Sequence, residues 1–576
     1  MCGKALRFFR ALYEGSEAKA RAGHHLSASF ALKRGVRQGC PMSPMLFDVF
    51  INDILGDSRK EGISIPGVRG ERLSGLLFAD DLVLLAPSAN KLRAAMRKTE
   101  AWAHRWEMQV GAPKCGVTVF NGDLDQLRGQ RWTLQGESVP VVESYTYLGI
   151  ELNDRMDLRA TSEAITARTR KALWAIKPAL VNRSIPMETR ALMLKALVLP
   201  IAAMGGELLG MNQQLANQRQ KLLSQAVAWI YSGNRAGQGV LVAPAANLEL
   251  EIPPLSAIMS GRRARAWVKF PTLRTWSGVL MSQPYRARQA TWVSGTKRWL
   301  ARFAKGVPLD GLPAKASGRA VQQVTWQKQL VSRGLKSVEW YQSCHFDNTR
   351  KVIRKATRYP DLIRGVEWLS RLRIQAMWTA HRAAKAGLID SGCGSTCPSC
   401  GESVREDAPH ILLECSFGSD TRHVLIQPVV DKAVEQSPAL PTREELAVLI
   451  LGGQVGEVSL CPWWLKGTAH DGVDSLPGFV LVAEFLQQVM PGRMAKLWSL
   501  RDPQPAEDTL GSGPQPDKRV EAQDGYDRPT TGRTRQGREV FSGVEIPTLP
   551  GPRLVFDGVV VPIRANRRSW CLSVDP

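Results

Sequence analysis

The run Leu76-Leu77-Phe78-Ala79-Asp80-Asp81-Leu82-Val83-Leu84-Leu85 sets two adjacent carboxylates between two apolar segments. The pattern predicts a tight β-hairpin with Asp80 and Asp81 at its tip. Because neighbouring carboxylates repel each other and lose hydration when buried, the doublet needs a compensating cation. Mg²⁺ suits this position, since it prefers oxygen ligands and is usually held by one or two carboxylates. A solvated Asp-Asp turn between two strands is the alternative.

Other segments around the hairpin carry their own patterns. Upstream lies Arg37-Gln38-Gly39-Cys40-Pro41-Met42-Ser43-Pro44, in which the glycine allows the backbone to approach a ligand closely. Downstream lie Lys114-Cys115-Gly116-Val117 and Tyr147-Leu148-Gly149-Ile150. Between the acidic hairpin and Lys114, large apolar residues recur at helical spacing and predict a helix with one buried face: Leu92, Met96, Trp102, Trp106 and Val110.

In this order the segments resemble the reverse transcriptases of eukaryotic non-LTR (LINE-like) retrotransposons. The resemblance implies a strand that ends at Lys114-Cys115-Gly116-Val117 and a second hairpin at Tyr147-Leu148-Gly149-Ile150. The resemblance implies an RNA-directed DNA polymerase, a nucleotidyltransferase whose two Mg²⁺ ions are held by Asp80 and Asp81 against the primer hydroxyl and the triphosphate. It implies Lys114 as a proton donor to pyrophosphate, although an ordinary exposed lysine at a strand end explains that residue equally well. The template and substrate contacts that it implies are Arg37, Gln38, Gly39, Pro41, Ser43, Phe78, Tyr147, Leu148 and Gly149.

The chain departs from the family pattern at its amino end. The family takes its first Mg²⁺-binding aspartate from an earlier strand, and no segment before the hairpin fits that strand. Residues 1–26 resemble the helix that follows it. We therefore expect an N-terminally truncated domain that lacks an upstream polymerase segment and is inactive or nearly so, since losing one metal ligand costs several kcal/mol at the transition state.

The charge of the chain favours a nucleic-acid partner. Lys and Arg total 76 against 53 acidic residues, a formal net charge of +23, which favours binding to phosphate backbones. Residues 252–309 contain no Asp or Glu. Arginine with interleaved tryptophan suits single-stranded or structured RNA, and the alternative is amphipathic helices with tryptophans in the core and arginines in solvent. The nucleic-acid-binding residues predicted here are Arg262, Arg263, Arg265, Trp267, Arg286, Arg288, Lys297 and Arg298.

A second constellation has the spacing of a metal site. Cys397, Cys400, His410 and Cys415 follow a Cys-x2-Cys-x9-His-x4-Cys pattern, which predicts a closed tetrahedral Zn²⁺ site with a structural role. Cys393 is a possible competitor for Cys397, and a chance grouping of cysteines is the alternative. Non-LTR reverse transcriptases carry a similar module after the thumb. The resemblance implies a contact with element RNA or target DNA, and a following arginine that Arg422 matches.

The expected fold class is α+β: a partial polymerase palm made of an antiparallel sheet with helices, then helical thumb and connection, a small zinc knuckle and a partly disordered tail. No signal peptide or bilayer-spanning segment is predicted, and scattered cysteines argue against a disulfide framework. The expected location is intracellular, and the resemblance implies the nucleus. The predicted domains are a truncated palm (1–155), thumb-like helices (156–235), a basic helical connection (236–390), a CCHC zinc knuckle (391–425), a helical region of unknown role (426–500), a disordered linker (501–540) and a short β-rich tail with a hairpin around Asp557-Gly558 (541–576).

Three functions stay open at this point. The first is the polymerase reading, with catalysis impaired in this chain. The second is a non-catalytic RNA- or DNA-binding protein that uses the basic helices and the zinc knuckle. The third is a remnant without function. The residues do not decide the oligomeric state.

Overall fold

A computed structural model describes residues 3–32, 35–37, 39–120, 122–154, 158–232, 243–273, 275–282, 291–309, 311–331, 334–467 and 476–501, and the backbone of 558–564. Helices and small antiparallel sheets make up these residues, so the coarse α+β class is confirmed. None of the helices within these ranges has the length and apolarity needed to cross a bilayer. The predicted linker 501–540 falls almost wholly outside the described residues, as does Asp557.

The α-helices account for most of the described secondary structure. In chain order they are α1 (Gly3–Tyr13), α2 (Ser43–Ile51), α3 (Ala89–Arg105), α4 (Leu124–Arg128), α5 (Leu158–Val181), α6 (Met187–Met193), α7 (Leu199–Ala202), α8 (Gly206–Leu209), α9 (Gln213–Ser232), α10 (Ala243–Glu249), α11 (Leu255–Lys269), α12 (Ser277–Ser282), α13 (Trp292–Phe303), α14 (Ala314–Val331), α15 (Lys336–Ser343), α16 (Val352–Lys355), α17 (Ile363–Arg373), α18 (Ala380–Lys385), α19 (Ser419–Leu425), α20 (Gln427–Gln436), α21 (Arg443–Ile450), α22 (Trp463–Lys466) and α23 (Gly478–Ser499).

The strands are short and mostly form two-stranded hairpins. They are β1 (Glu17–Ala18), β2 (Arg21–Ala22), β3 (His25–Leu26), β4 (Phe30–Ala31), β5 (Ile63–Ser64), β6 (Arg72–Leu73), β7 (Gly75–Phe78), β8 (Asp81–Ala86), β9 (Thr118–Phe120), β10 (Thr133–Leu134), β11 (Glu137–Ser138), β12 (Ser144–Tyr147), β13 (Ile150–Asn153), β14 (Gln454–Val455), β15 (Val458–Ser459) and β16 (Gly558–Arg564). A four-stranded sheet has the order β7-β8-β16-β9.

The chain divides into two compact units. The first comprises residues 1–164, 266–298 and 551–576, and the second comprises residues 165–265 and 299–550. In the first unit, α3 packs against β8, and Leu92, Met96 and Trp102 of the helix are buried with Leu82 and Leu84 of the strand. The predicted buried face of this helix is therefore confirmed for these three residues, but α3 ends at Arg105. Trp106 is 46% exposed and caps the helix, and Val110 lies beyond it.

Strand β16 differs most from the sequence prediction. Most of the predicted tail hairpin around Asp557-Gly558 lies outside the described residues; its described part, β16, lies between β8 and β9 and pairs antiparallel with both. Val560 is in register with Leu85 on one side and with Thr118 on the other. An apolar run alone does not reveal its partner when that partner is distant in sequence, because the pairing depends on which strand edge is left open.

The second unit is helical and contains buried ion pairs. Arg190 pairs with Glu367, Arg373 with Glu249 at 3.2 Å, and Arg493 with Glu406, and all six side chains are almost fully shielded from water. Helices α17 and α23 cross closely, since a Cβ added at Gly365 would clash with the carbonyl oxygen of Ala483. In each of these three pairs the two charges are opposite, and removing one partner would leave the other uncompensated, at a cost of about 3–5 kcal/mol.

The position of β16 can be tested by disulfide cross-linking in the full chain. Directly opposed residues in antiparallel strands lie within the Cα separation of a disulfide, roughly 4.4–6.8 Å. We expect the pair Leu85→Cys/Val560→Cys to cross-link within one chain on mild oxidation, as read by mass spectrometry of unreduced peptides. The control is Val83→Cys/Val560→Cys, two residues out of register. Equal cross-linking of the two pairs would contradict the strand order.

Candidate functional site

The acidic hairpin forms as the sequence predicts. β7 and β8 are joined by the two residues Ala79 and Asp80, with Phe78 paired to Asp81. Ala79 has φ of 51°, the left-handed conformation that two-residue hairpin turns require. Both carboxylates are half-buried, and the Phe78 ring is 62% exposed beside them. The turn therefore presents two adjacent oxygen ligands at the end of a sheet whose body is buried.

The second hairpin lies against the same sheet. Strands β12 and β13 pair around Leu148 and Gly149, which have φ of 48° and 80°. Tyr147 packs with Val83 of β8 and with Phe120 of β9. The pKa of the Tyr147 hydroxyl is raised, first by burial and then by the charge of Asp81. The structure thus brings Tyr147 close to the acidic turn.

The loop that contains Arg37 is held to α1. Arg37 donates to the Ser16 hydroxyl at 2.6 Å and to the Leu12 carbonyl at 3.0 Å, and its guanidinium lies over the Tyr13 ring. Ser43 donates to the Arg37 carbonyl at 2.6 Å. From this loop α2 continues into the core that also buries β8. Gly39 has φ of +81° and Pro41 follows in the same loop. Gln38 lies outside the described residues.

Lys114 does not lie at the end of a strand. The segment predicted as a strand is a 3₁₀ turn, Ala112–Lys114, and β9 begins only at Thr118. Pro113 favours this turn, because its fixed φ suits the start of a helical turn and it has no N–H for a ladder. The Lys114 side chain is exposed, and its backbone carbonyl accepts from the Tyr145 hydroxyl at 2.8 Å. The strand prediction was wrong here, and the role of the lysine stays a prediction.

The four zinc-type residues come together in the second unit. The ligand atoms of Cys397, Cys400, His410 and Cys415 all lie within 4.8 Å of one another. Cys397 Sγ is 3.9 Å from Cys415 Sγ, and Cys400 Sγ is 3.6 Å from His410 Nε2. In a tetrahedral Zn²⁺ site, bonds of about 2.0–2.3 Å place neighbouring ligand atoms roughly 3.3–3.8 Å apart. The donor set therefore fits such an ion.

The thiols of this cluster titrate unequally. A hydrogen bond from Cys415 lowers the pKa of Cys397, whereas the same contact and burial raise the pKa of Cys415. Burial also raises the pKa of Cys400. The Cys397 thiolate is thus stabilised by its neighbours, but a second thiolate at Cys400 or Cys415 would be repelled by it. A divalent cation would remove this repulsion, because metal binding favours the deprotonated thiols.

Residues outside the Cys-His pattern hold the cluster in place. His410 Nδ1 lies 3.5 Å from Glu414 Oε2, and Glu414 Oε1 lies 2.9 Å from Arg443 Nε. Such an outer carboxylate fixes the orientation of a metal-binding imidazole. Arg422 donates to the carbonyls of Leu412 and Cys415. Sequence reasoning missed Glu414, although its position four residues after His410 on a helical turn is the available signal.

Cys393 is not part of the cluster. It packs with Ala380, Ile389 and Leu497 in a small apolar core. Of the described residues, only Cys397, Cys400, His410 and Cys415 form a group of three or more His, Cys, Asp or Glu side chains that could hold a metal. Asp80 and Asp81 therefore gather no third ligand of these types from the part of the chain that the structure describes.

The basic helices divide into buried and exposed cations. Arg263 is only 8% exposed and donates to the carbonyls of Gly210 at 2.6 Å and Leu208 at 3.3 Å, and burial lowers its pKa to about 10. Its burial and these backbone hydrogen bonds argue against the predicted contact with nucleic acid. Arg262 is half-buried and donates to the Ala203 carbonyl at 2.6 Å.

Three of the predicted cations are exposed: Arg265, Lys297 and Arg298. Trp267 packs against Trp292 with ring centroids 5.8 Å apart, and Phe270 stacks on Trp292 at 5.4 Å. The two tryptophan rings thus pack against each other, as expected for an amphipathic helical core. Arg286 and Arg288 lie outside the described residues.

Comparison with known proteins bears on the first of these sites. The family described as "Reverse transcriptase (RNA-dependent DNA polymerase)" matches residues 5–152. The chain is 29% identical over 162 residues to the Pol polyprotein of the type-1 retrotransposable element R2 of Nasonia vitripennis, which covers 24% of this chain and 15% of that protein. It is 24% identical over 204 residues to the RNA-directed DNA polymerase of the mobile element jockey of Drosophila funebris, covering 34% and 21%.

A third relative is the Pol polyprotein of the type-2 element R2DM of Drosophila melanogaster, 27% identical over 150 residues, with 24% of this chain and 14% of that protein covered. The chain thus spans about a fifth or less of the length of these curated relatives. The matches confirm the resemblance to non-LTR reverse transcriptases. The matched residues include the acidic hairpin, Lys114 and Tyr147, whereas the Cys-His cluster lies outside them.

Replacing one cluster thiol is expected to abolish metal binding. Cys400→Ser removes one of four donors, so we expect zinc per chain, measured by inductively coupled plasma mass spectrometry, to fall from about one to near zero. The unfolding temperature should fall with it. Cys393→Ser is the matched control and should keep its zinc. Loss of metal in both variants would indicate that the ligand set is different.

Proposed function

We propose that the chain acts in RNA-templated DNA synthesis as part of a non-LTR retrotransposon reverse transcriptase. The observation that carries the proposal is the two-residue turn that holds Asp80 and Asp81 inside the segment matched by the reverse transcriptase family. A deoxynucleotide triphosphate and a primer paired to RNA are the proposed substrates. Residues 1–155 would act as the palm and the helices that follow as the thumb and the connection.

The side chains around the turn have separate roles in this proposal. Asp80 and Asp81 would hold Mg²⁺, which in such sites activates the attacking hydroxyl and neutralises the leaving pyrophosphate. The exposed Phe78 ring offers an apolar surface next to the carboxylates. Tyr147 is half-buried against β8 and β9, and its partial burial and then the charge of Asp81 raise the pKa of its hydroxyl, which keeps it protonated. Arg37, Gly39, Pro41 and Ser43 would shape the template loop, since that loop is fixed to α1 through Arg37.

The Cys-His cluster would hold Zn²⁺ in a structural role. Its four protein donors fill a tetrahedral shell, which leaves no open position for a substrate. Exposed Arg265, Lys297 and Arg298 would contact RNA or DNA phosphates. The nucleus is the proposed location, since priming on chromosomal DNA takes place there. Nucleic acid is the proposed partner.

Catalysis is proposed to be weak in this chain. Two carboxylates at the turn supply few protein ligands for two Mg²⁺ ions, so the ions would be held loosely against the triphosphate, and the described residues bring no third carboxylate to the turn. A deficit of several kcal/mol at the transition state corresponds to roughly a thousandfold or greater loss in rate.

Primer extension on an RNA template tests this proposal. We expect trace Mg²⁺-dependent extension by the unmodified chain and none by Asp80→Asn, because the amide cannot supply a negative ligand. Asp57→Asn, an exposed aspartate outside the turn, is the matched control and should extend as the unmodified chain does. If Asp80→Asn and the unmodified chain give the same signal, autonomous polymerase activity is rejected.

The second candidate is a non-catalytic nucleic-acid-binding protein. The observation that favours it is the set of exposed cations without an intervening acid in residues 252–309. Binding of this kind weakens steeply with salt, by about 0.7 in log K per log salt for each single-strand phosphate contact.

Filter binding of single-stranded RNA across a salt series measures that slope. The double variant Lys297→Gln/Arg298→Gln is expected to reduce it by about 1.4, which corresponds to two lost phosphate contacts. Arg128→Gln is the control, because Asp125 and Glu143 already neutralise Arg128. An unchanged slope in the double variant would remove these two residues from the binding surface, and no binding at low salt would reject the candidate.

A further inference from the structure

A cavity of about 540 Å³ opens in the second unit between the first residue of α9, the end of α13 and the second half of α14. Its walls include Gln213, Trp299, Phe303 and Thr325, with Arg302 and Lys328 among the other lining residues. This volume falls within the range of small-molecule sites, roughly 300–1,000 Å³. None of the roles assigned above uses this cavity.

One wall of the cavity is aromatic. Trp299 and Phe303 lie four residues apart on α13, so both project from the same face of the helix. Their ring centroids are 4.2 Å apart with 37° between the ring planes. The Arg302 guanidinium lies 5.1 Å from the centre of the Phe303 ring. Flat rings combined with a guanidinium are the side chains on which unpaired bases stack.

Two polar atoms of the residues that line the cavity, one on the Trp299 indole and one on the Thr325 side chain, have unmet hydrogen bonds. Among the described residues, neither Trp299 Nε1 nor Thr325 Oγ1 has a hydrogen-bond partner. Thr325 is 1% exposed, and both atoms are shielded from water. Buried polar atoms are normally satisfied, because leaving one unpaired is costly. A ligand with acceptor and donor atoms on a flat edge would meet both after small rotations of the two side chains.

The rim of the cavity is positively charged. Arg302 and Lys328 are exposed, and the residues that line the cavity include no Asp or Glu. The ligand expected from these features has an aromatic ring for stacking, a polar edge for the Trp299 N–H and the Thr325 hydroxyl, and a negative group beside the ring. A nucleobase linked to its phosphate has all three features.

We propose that this cavity binds an unpaired nucleobase of single-stranded RNA or DNA. The inference rests on the proposed nucleic-acid partner of the chain and adds a base-reading site to it. Trp299 stacks on the base and donates its N–H to the base edge, the Thr325 hydroxyl completes the edge contact, and Arg302 and Lys328 bind the flanking phosphates. Duplex nucleic acid is excluded, because a paired base cannot leave its stack without a cost in free energy.

Fluorescence anisotropy with short labelled oligonucleotides tests the site in the full chain. Trp299→Phe keeps the ring and removes the N–H, and Thr325→Val keeps the shape and removes the hydroxyl. Each is expected to weaken single-strand binding about five- to tenfold, the size of one hydrogen bond to a base. Trp326→Phe is the control and should bind normally, because Trp326 lies next to Thr325 on α14 but is not among the residues that line the cavity.

The salt dependence separates base binding from general charge. Trp299→Phe and Thr325→Val should leave the salt slope unchanged, because neither removes a phosphate contact, whereas Arg302→Gln should lower it by about 0.7. Single-stranded RNA, single-stranded DNA and duplex arms show which strand supplies the base. The thermal unfolding of every variant is recorded, so that a folding defect is recognised.

Photo-cross-linking locates the base independently of any variant. An oligonucleotide that carries 5-iodouracil should cross-link to Trp299 or Phe303 on irradiation, as mapped by mass spectrometry. The base site would be overturned if single strands bind but cross-link only at other residues, and if Trp299→Phe, Thr325→Val and Trp326→Phe bind them with equal affinity. That outcome would not contradict the proposed nucleic-acid partner. Absence of any oligonucleotide binding would overturn the proposed partner as well.

Discussion

Strand β8 needs a hydrogen-bonded neighbour on each edge, and this requirement governs the acidic turn. Leu82 and Leu84 face α3, while Val83 and Leu85 pack with the second hairpin, so both faces of the strand are covered. A backbone buried in this way must pair on both sides. β7 supplies one side and β16 the other. The two carboxylates are therefore positioned by a sheet in which one of the two inner strands, β16, is more than 400 residues away from β8 in the sequence.

Sequence reasoning succeeded where the determinants are local and failed where they are distant. The acidic turn follows from the apolar runs on both sides of it, the second turn contains Gly149 at positive φ, and the metal cluster follows from the spacing of its cysteines. The position of β16 depends on an open strand edge hundreds of residues away, which no local pattern encodes. The end of α3 was missed because the predicted periodicity ran past Arg105. The turn before β9 was missed because Pro113 was not considered as a residue that breaks a strand.

The positive charge of the chain performs two different tasks. The fully buried arginines donate to carbonyls or pair with carboxylates, as Arg219 does with the Ala202 carbonyl and Arg373 with Glu249. Their donors are consumed by the fold, and the planar guanidinium suits this task because it offers five N–H groups in fixed directions. A net charge of +23 therefore overstates the cationic surface that phosphate groups can reach. The prediction of an anionic partner from composition therefore rests on exposed residues such as Arg265 and Lys297.

The region of residues 426–500, for which the sequence suggested no role, supports the Cys-His cluster. Arg443 of α21 pairs with Asp407 at 3.0 Å and with Glu414, and Lys496 of α23 donates to the Ser399 carbonyl at 2.8 Å. Arg493, also on α23, pairs with buried Glu406, whose other oxygen accepts from the Ala380 backbone N–H. These contacts fix the backbone on both sides of the ligands, so the loop entropy that a metal must otherwise overcome is already reduced. The Cys-His cluster is thus an integral part of a helical unit, and the metal affinity of the proposed Zn²⁺ site would depend on helices that contribute no ligand.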